Sequence, residues 1–229
     1  MGTHFENLLQ LIPDLKRQRI LDIGSGRGKF LIDATIRGVQ CSGLEFNPAY
    51  IEQTYRLAKE QGAAVSVTQG AAEQLPFADA SFDFINMSEV FEHVDDPARV
   101  MHEVYRVLVT GGAAYVSVPN RFALRDPHFH IYGVNWVPRR YAARYLSLFK
   151  KHKQYTREAG RQRLDEMHYR TYHAARRLFE HGGFTVTDIR EKKIRSSIHN
   201  HFFSSAVVML YWCVRPWYFD SFHFLLMKF

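Results

Sequence analysis

Hydrophobic and polar positions follow two different periods along the first half of the chain. Short apolar runs, each of a length typical of a buried strand, are separated by stretches in which apolar residues recur every three or four positions, as on one face of a helix. Strands and helices that alternate at this spacing predict right-handed parallel βαβ units, with helices on both faces of one sheet. The five strand-like runs are RILDIG, VQCSGLEF, AAVSVTQG, SFDFINMSEV and AAYVSVPN.

Capping residues mark where several of the predicted helices begin and end. Asn47 is a favourable N-cap, Pro48 fits the first helical position, and Gly62 closes the same helix. The segment DPARVMHEVYRVLVTGG has the apolar spacing of another helix, which we expect Gly111 and Gly112 to end. The first half therefore has both the spacing and the boundaries of an α/β fold.

The second half of the chain changes character after the fifth strand. Residues 121–165 are aromatic and basic with little strand pattern, and we interpret them as a helical and aromatic insertion rather than a second domain. Residues 166–229 then complete the fold with a helix in TYHAARRLFEHGGF, a sixth strand in TVTDIREKK and a last strand in SFHFLLMKF. The pattern predicts one domain over residues 1–229, with a core at 18–119 and seven strands in a mostly parallel, doubly wound sheet.

Composition agrees with a single domain and points to the compartment. The chain has 229 residues, of which 46% are hydrophobic, enough for one sizeable core. Its two cysteines, Cys41 and Cys213, lie far apart and have neither metal-ligand spacing nor a disulfide framework. The first residues lack the basic and apolar regions of a signal peptide. We expect a reducing, cytoplasmic setting and no metal.

Positive charge is concentrated in one part of the chain. The net charge is +7, but residues 121–201 hold 18 Lys and Arg against 7 acidic residues, and the remainder is acidic overall. Such a segment can attract phosphate, anionic lipid or nucleic acid, and it can also be a solvated helical face.

A loop with three alternate glycines follows the first strand in ILDIGSGRGKF. Gly24, Gly26 and Gly28 would let the main chain turn sharply and approach a ligand closely. The dinucleotide fingerprint G-x-G-x-x-G fails because Lys29 takes its last position, and the phosphate loop fails because Phe30 follows Gly28-Lys29. Neither of these phosphate-binding motifs fits the loop.

The loop and the segments after it resemble those of one enzyme family. A strand ending in Asp22 before G-x-G-x-G resembles motif I of class I S-adenosylmethionine-dependent methyltransferases, and Glu45 stands about 20 residues further on, where an acid can bind ribose hydroxyls. The resemblance covers residues 18–119 and 166–193, and its later part is similar to the ubiquinone/menaquinone-biosynthesis-like, methyltransferase type 11 branch. The further matching segments are LPF, SFD, NMSEVFEHVDDPARVMHEVYRVLVTGG and EMHYRTYHAARRLFEHGGFTV.

The resemblance implies a Rossmann-like fold and methyl transfer from S-adenosylmethionine, with S-adenosylhomocysteine as the product. Position 71 departs from the pattern, because Ala71 stands where the family has an acid that contacts the adenine amino group. A cofactor-binding or scaffold protein without catalysis is the alternative that this departure favours. The implied cofactor residues are Asp22, Gly24, Ser25, Gly26, Gly28, Glu45, Phe46, Ala71, Ala72 and Ser88.

Histidines and cations near the carboxyl ends of the fourth and fifth strands are candidates for chemistry and substrate binding. A neutral imidazole suits proton removal from a hydroxyl, so His93, His128 and His130 are candidate bases or substrate-orienting residues, and equally could bond main chain in a packed loop. The segment PHFHIYGVNWVPRRYAARYL resembles an insert of bacterial methyltransferases of cell-envelope glycan biosynthesis, which implies a lipid-linked or small-molecule substrate. The candidate substrate residues are Asn120, Arg125, Trp136, Arg139 and Arg140.

The aromatic segment 202–219 has several interpretations. It is too short to span a bilayer, but its tryptophans and tyrosines suit the inner membrane interface. It could equally pack on the sheet or on a second subunit, which would make a homodimer. Methylation of nucleic acid is a further alternative that the basic segment favours, but no flipped-base motif follows the fourth strand, where the sequence is Asn86-Met87-Ser88-Glu89.

Overall fold

The computed structural model describes residues 3–148, 167–198 and 201–229, and it shows one seven-stranded sheet. The strand order is β3-β2-β1-β4-β5-β7-β6, and β7 alone among these strands runs antiparallel to its neighbours. This architecture confirms the predicted mostly parallel, doubly wound sheet. The strands are β1 (Ile20–Ile23), β2 (Cys41–Glu45), β3 (Ser66–Gln69), β4 (Phe82–Met87), β5 (Leu108–Pro119), β6 (Thr185–Asp188) and β7 (Ser221–Met227).

Helices cover both faces of the sheet, because successive strand residues point to opposite faces and are apolar on each. One core joins Leu21 and Ile85 to helices α4 and α6, and the other joins Ile20 and Phe84 to α1, α2 and α7. The helices are α1 (His4–Leu11), α2 (Lys29–Ile36), α3 (Pro48–Glu60), α4 (Pro97–Val107), α5 (Arg139–Leu148), α6 (Tyr172–His181), α7 (Ile189–Ser197) and α8 (His201–Tyr218).

Two predicted boundaries are wrong. Helix α4 ends at Val107 rather than at Gly111 and Gly112, because the chain enters β5 at Leu108 and pairs there with Phe82 of β4. The sixth strand stops at Asp188, where the side chain accepts the first N–H groups of α7, so the remainder of TVTDIREKK is helical.

The insertion after β5 has a small core of its own. Side chains of its loop and of α5, including Ile131 and Leu146, pack against Met167 and Tyr169, which follow the segment 149–166 outside the described residues. The insertion leaves and rejoins the sheet at one point, because Arg121 N–H donates to Arg170 O at 3.0 Å. It therefore sits beside the carboxyl end of β5.

The described part of the chain contains no helix that is both long and apolar enough to cross a membrane.

Candidate active site

The loop between β1 and α2 contains three glycines with positive φ angles, and two of them are more closely packed than the third. Gly24, Gly26 and Gly28 have φ angles of +66°, +55° and +73°, which other residues rarely adopt. A Cβ at Gly24 would lie 2.5 Å from Val90 Cγ2, and one at Gly28 would lie 2.3 Å from Thr54 Cγ2. A Cβ at Gly26 would meet nothing closer than a carbonyl oxygen at 3.9 Å. The loop is closed on both flanks and open above Gly26, where a ligand can approach the main chain.

The N–H groups of this loop are bonded inside the chain. Gly24 N–H and Ser25 N–H donate to Leu44 O at 2.8 and 3.0 Å. Gly26 N–H donates to Glu45 Oε2 at 2.8 Å. A phosphate-binding loop presents such groups to the anion. The geometry therefore agrees with the sequence in disfavouring a phosphate site here.

Glu45 closes the loop from the end of β2. Its carboxylate is buried, with Oε2 accepting from Gly26 N–H and Oε1 accepting from Asn47 N–H, both at 2.8 Å. Each oxygen keeps a second lone pair, so the group can accept two more hydrogen bonds, as a ribose diol would supply. Phe46 beside it is 74% exposed, which leaves the ring available to stack on a base.

The segment after β3 lies against the same place, since Gly70 N–H donates to Glu45 O at 3.1 Å. Ala72 is buried and Ala71 is half-buried, so position 71 offers a methyl group where a carboxylate would contact an adenine amine. Ser25 is buried too, with its hydroxyl over Gly43, where a Cβ would lie 3.1 Å from Ser25 Oγ. Its hydroxyl thus faces the sheet rather than the open side of the loop.

A buried polar chain runs along the carboxyl ends of β1 and β4. Asn86 Nδ2 donates to Asp22 Oδ1 at 2.6 Å, and His4 Nε2 lies 2.9 Å from Asn86 Oδ1. Burial raises the pKa of Asp22 to about 7, although the Asn86 hydrogen bond acts in the opposite direction. Sequence reasoning missed His4 and Asn86, because His4 reaches this place only once α1 packs on the sheet.

The turn after β4 is held to β5. Glu89 N–H donates to Ser117 Oγ at 2.9 Å, and Ser88 Oγ lies 3.4 Å from the same oxygen. Glu89 has a φ of +58°, an uncommon conformation for a residue with a side chain. Strained positions of this kind cluster at binding sites, and this one lies at the carboxyl edge with Ser88.

The centre of the candidate site is a carboxylate with two histidines. Glu92 is fully buried, and its Oε1 lies 3.0 Å from His128 Nε2 and 3.9 Å from His93 Nε2. His128 is brought here by an Asx turn, in which Asp126 Oδ1 accepts from the N–H groups of His128 and Phe129. The structure thus brings together two of the three predicted histidines, and it adds the carboxylate of Glu92 to them.

The pKa of His128 reflects two opposing influences. Burial lowers it, but the hydrogen bond and charge of Glu92, with the nearby charges of Glu89 and Asp126, raise it above the ordinary value of 6.5. If Glu92 accepts the proton on Nε2, the lone pair of the neutral ring lies on Nδ1. His128 is therefore held in one orientation by Glu92, and its pKa lies above the ordinary value.

The same cluster could also hold a metal ion. Glu92, His93 and His128 offer ligand atoms that all lie within 4.8 Å of one another. A carboxylate with two imidazoles is a donor set that suits divalent transition metals. The sequence did not indicate this group, because His128 joins it from 35 positions beyond His93.

Two further residues predicted from the sequence, His130 and Asn120, lie in different surroundings from the cluster. His130 has a φ of +58°, is exposed and does not belong to the cluster of Glu92. Asn120 is buried, and its amide donates to Pro216 O at 3.0 Å and Phe219 O at 2.9 Å. Asn120 therefore attaches α8 to the end of β5, a role within the chain rather than towards a substrate.

Four residues of the insertion are predicted to bind substrate, and they differ in exposure. Arg139 lies over the Tyr169 ring at 4.6 Å, and Arg140 is exposed over Tyr141 at 4.8 Å. Trp136 is half exposed, and Arg125 is half-buried where the insertion pairs with itself at Tyr132. No bound molecule tests these four positions, so they stay predictions.

Known sequences match this chain over its first half. Residues 21–116 match the model of a methyltransferase domain. The ubiquinone biosynthesis O-methyltransferase of Alkalilimnicola ehrlichii is 32% identical over 113 residues, which are 49% of this chain and 46% of that protein. The norajmaline N-methyltransferase of Rauvolfia serpentina is 34% identical over 102 residues, 43% of this chain and 35% of that protein. The chain matches less than half the length of either relative.

Solved structures resemble the chain over nearly its whole length. The YcgJ protein of Bacillus subtilis has a TM-score of 0.61 at 20% identity and covers 98% of both chains. An S-adenosylmethionine-dependent methyltransferase of Mesorhizobium loti has a TM-score of 0.61 at 17% identity, covering 97% of this chain and 96% of that one. These likenesses confirm the Rossmann-like fold.

Proposed function

We propose that this chain methylates an oxygen atom of a small or lipid-linked metabolite with S-adenosylmethionine as the methyl donor. The match of residues 21–116 to a methyltransferase domain supports the transfer of a methyl group. The observation that carries the choice of oxygen is the pair of His128 and the buried Glu92, 3.0 Å apart at the carboxyl edge of the sheet. A histidine held by a carboxylate suits proton removal from a hydroxyl. The names of the relatives include both an O- and an N-methyltransferase, so they leave the atom open.

The residues around the glycine loop fit the cofactor. The space above Gly26 is open, and Glu45 has two acceptor positions for the ribose hydroxyls. Phe46 offers an exposed ring to the adenine, and Asp22 offers a carboxylate to the amino group of the methionine part. When bound, S-adenosylmethionine supplies an activated methyl group that is displaced in line by the acceptor.

His128 would remove the proton that the acceptor loses. The hydroxyl of the acceptor would give up its proton to His128 as its oxygen takes the methyl group that the bound cofactor would supply. Glu92 then stabilises the charged imidazolium through the 3.0 Å contact. His93 lies at the rim of the same group and orients the acceptor.

The insertion supports an acceptor that carries negative charge. Residues 121–148 hold five arginines against one acidic residue, Asp126. Arg125 and Arg140 are placed where they could contact a phosphate or diphosphate group of a lipid-linked sugar, which arginine binds in a bidentate manner. The name of one relative, a ubiquinone biosynthesis O-methyltransferase, favours a quinone-type acceptor instead. A quinone-type acceptor would not need these charges.

Labelled S-adenosylmethionine incubated with lipid and aqueous extracts would identify the acceptor. We expect label in a lipid or glycolipid fraction, in a product stable to mild acid and base as an ether is. His128→Ala should reduce kcat by about a hundredfold, since a positioned base contributes roughly a hundredfold or more, while cofactor affinity stays unchanged. His102→Ala is the matched control, because His102 is 79% exposed on α4.

Four results would argue against this proposal. Full activity of His128→Ala would show that His128 is not the base. Label on nitrogen would show that the acceptor atom is not oxygen. Loss of activity with EDTA, restored by a divalent ion, would show that the cluster of Glu92, His93 and His128 binds a metal instead. Cofactor binding with no labelled product in any extract would favour a non-catalytic protein.

A further inference from the structure

Helix α8 buries its charged residue and exposes apolar ones, the reverse of an ordinary surface helix. Its one charged residue among positions 203–218, Arg215, is buried at 7% exposure and lies 3.6 Å from Asp188. Tyr211 is buried as well, and its hydroxyl donates to Asp188 Oδ2 at 2.7 Å. Apart from Ser205, the outward positions are apolar or aromatic, which is the reverse of what water selects.

The outward face of α8 is large and aromatic. Met209 and Leu210 are 65% and 62% exposed, Trp212 and Trp217 are 48% and 47% exposed, and Tyr218 is 70% exposed. Monomeric proteins rarely expose apolar residues in a continuous stretch unless it is an interaction surface. We call this set, residues 209–218 on the outside of α8, the aromatic face.

The aromatic face continues onto the insertion. Trp217 stacks on Trp136 at 5.0 Å with an interplanar angle of 24°, and Phe122 lies within 5.8 Å of Trp136. Leu124, which is 51% exposed, donates its N–H to Trp217 O at 2.8 Å. The surface therefore spans two elements, one of which also carries His128.

Cations border the aromatic face. Helix α7 lies beside α8, where Trp212 Nε1 donates to Glu191 Oε2 at 3.0 Å, and it exposes Lys192, Lys193 and Arg195. Its one acidic residue, Glu191, is bonded to Trp212 and Arg195. Amphipathic aromatic residues with a basic border fit the interface of an anionic bilayer.

A second copy of the chain fits this surface less well. A symmetric dimer pairs the patch with a copy of itself. The one acidic residue of α7, Glu191, is already bonded to Trp212 and Arg195, so α7 of the copy would offer these cations no further carboxylate. Anionic headgroups instead neutralise them. We propose that the aromatic face docks the protein on an anionic membrane surface, with α8 lying in the plane of the interface.

This docking surface would explain how a lipid-linked acceptor reaches the site, a consequence that rests on the proposed function. The insertion carries Leu124 and Trp136 towards the membrane, and it carries His128 to Glu92 at the carboxyl edge of the sheet. A membrane-bound acceptor could enter from that side without leaving the interface.

Vesicle sedimentation tests the docking directly. The full chain should pellet with vesicles of phosphatidylcholine and phosphatidylglycerol at low salt, and bind vesicles of phosphatidylcholine alone at least tenfold less. Leu210→Glu and the double variant Lys192→Ser, Lys193→Ser should each reduce binding to the anionic vesicles about tenfold. Ile36→Glu is the matched control, because Ile36 is 54% exposed on α2, away from the aromatic face.

The outcomes separate docking from catalysis. Calorimetry with S-adenosylmethionine should give wild-type affinity for Leu210→Glu, which shows that the variant is folded. Absence of vesicle binding by the wild-type chain would overturn the docking proposal, and so would equal loss in Ile36→Glu. A dimer in light scattering that Leu210→Glu dissociates, without vesicle binding, would assign the face to a second copy. Vesicle binding without any methyl transfer would support the docking proposal and contradict the proposed function.

Discussion

A side chain introduced at Gly26 would enter the open space where we expect the cofactor to bind. Ala at a positive φ costs about 1–2 kcal/mol wherever it occurs, so Gly26→Ala and Gly38→Ala should lower the free energy of unfolding by similar amounts. Both positions leave open space for the new methyl group, and their φ angles are +55° and +77°. Only Gly26→Ala should weaken binding of S-adenosylmethionine, by at least about tenfold. Urea denaturation and calorimetry on both variants measure the two effects; equal affinities would place the cofactor elsewhere.

Asp22 should make cofactor affinity depend on pH. Burial raises the pKa of Asp22 to about 7, so in the free protein the carboxyl is mostly neutral below that value. The positive amino group of the cofactor favours the ionised form. The dissociation constant should therefore rise about tenfold for each pH unit below 7, a range that calorimetry between pH 5.5 and 8 covers. Asp22→Asn should bind weakly with a flatter profile; the same slope in that variant would exclude Asp22 as the cause.

Glu92 should set the pH at which the enzyme becomes active. The pKa of His128 lies above 6.5, because the hydrogen bond and charge of Glu92 outweigh the effect of burial. Activity needs the neutral imidazole, so kcat/KM should rise with pH through a midpoint above 6.5. Glu92→Gln removes the charge and should move this midpoint to lower pH while lowering the plateau. A pH–rate profile measures both, and an unmoved midpoint would show that His128 is not the titrating group.

Asp188 connects three elements, and its loss should destabilise the fold more than loss of an ordinary helix cap. It accepts from the first N–H groups of α7 and from Tyr211 Oη, and it forms an almost fully buried ion pair with Arg215 at 3.6 Å. Asp188→Ala leaves a buried cation without its partner, which costs about 3–5 kcal/mol. Asp96→Ala removes only the exposed cap of α4, which costs about 1 kcal/mol. Urea denaturation should show this difference; equal losses would mean that the ion pair contributes nothing.

Elements could be predicted where one local signal decides them. Asn47 and Pro48 begin α3 as their types predict, and the apolar runs give β1 to β4. The end of α4 could not be predicted, because Leu108 leaves the helix in order to pair with Phe82, 26 positions away. The end of β6 was missed for a local reason: Asp188 is a strong N-cap, but the β-branched residues on both sides of it, Thr187 and Ile189, favour a strand.

At the scale of the molecule, the sequence could predict that the glycine loop meets Glu45, but it could not predict that Glu92 meets His128. Gly24, Gly26 and Glu45 lie close along the chain and follow two strands, so their meeting is dictated by the sheet. Glu92 and His128 meet only because the insertion folds back over the carboxyl edge. The outward face of α8 was equally hidden, because a nearly continuous apolar run gives no period that says which side is buried.

This division of the molecule predicts that the insertion can be removed without loss of cofactor binding. Arg121 N–H donates to Arg170 O at 3.0 Å, so a linker of a few glycines and serines can replace residues 122–168 without stretching the chain. The residues expected to bind S-adenosylmethionine all precede the insertion, and their contacts are made within the sheet and its loops. The excised protein should therefore bind S-adenosylmethionine within about threefold of the wild-type constant, a change below about 0.7 kcal/mol. It should transfer methyl groups at least about a hundredfold more slowly, because it lacks His128. Calorimetry and a labelled-methyl assay measure the two properties. If the shortened chain is folded by circular dichroism but has lost the cofactor, the insertion takes part in cofactor binding, and the assignment of cofactor and acceptor to separate parts of the chain is wrong.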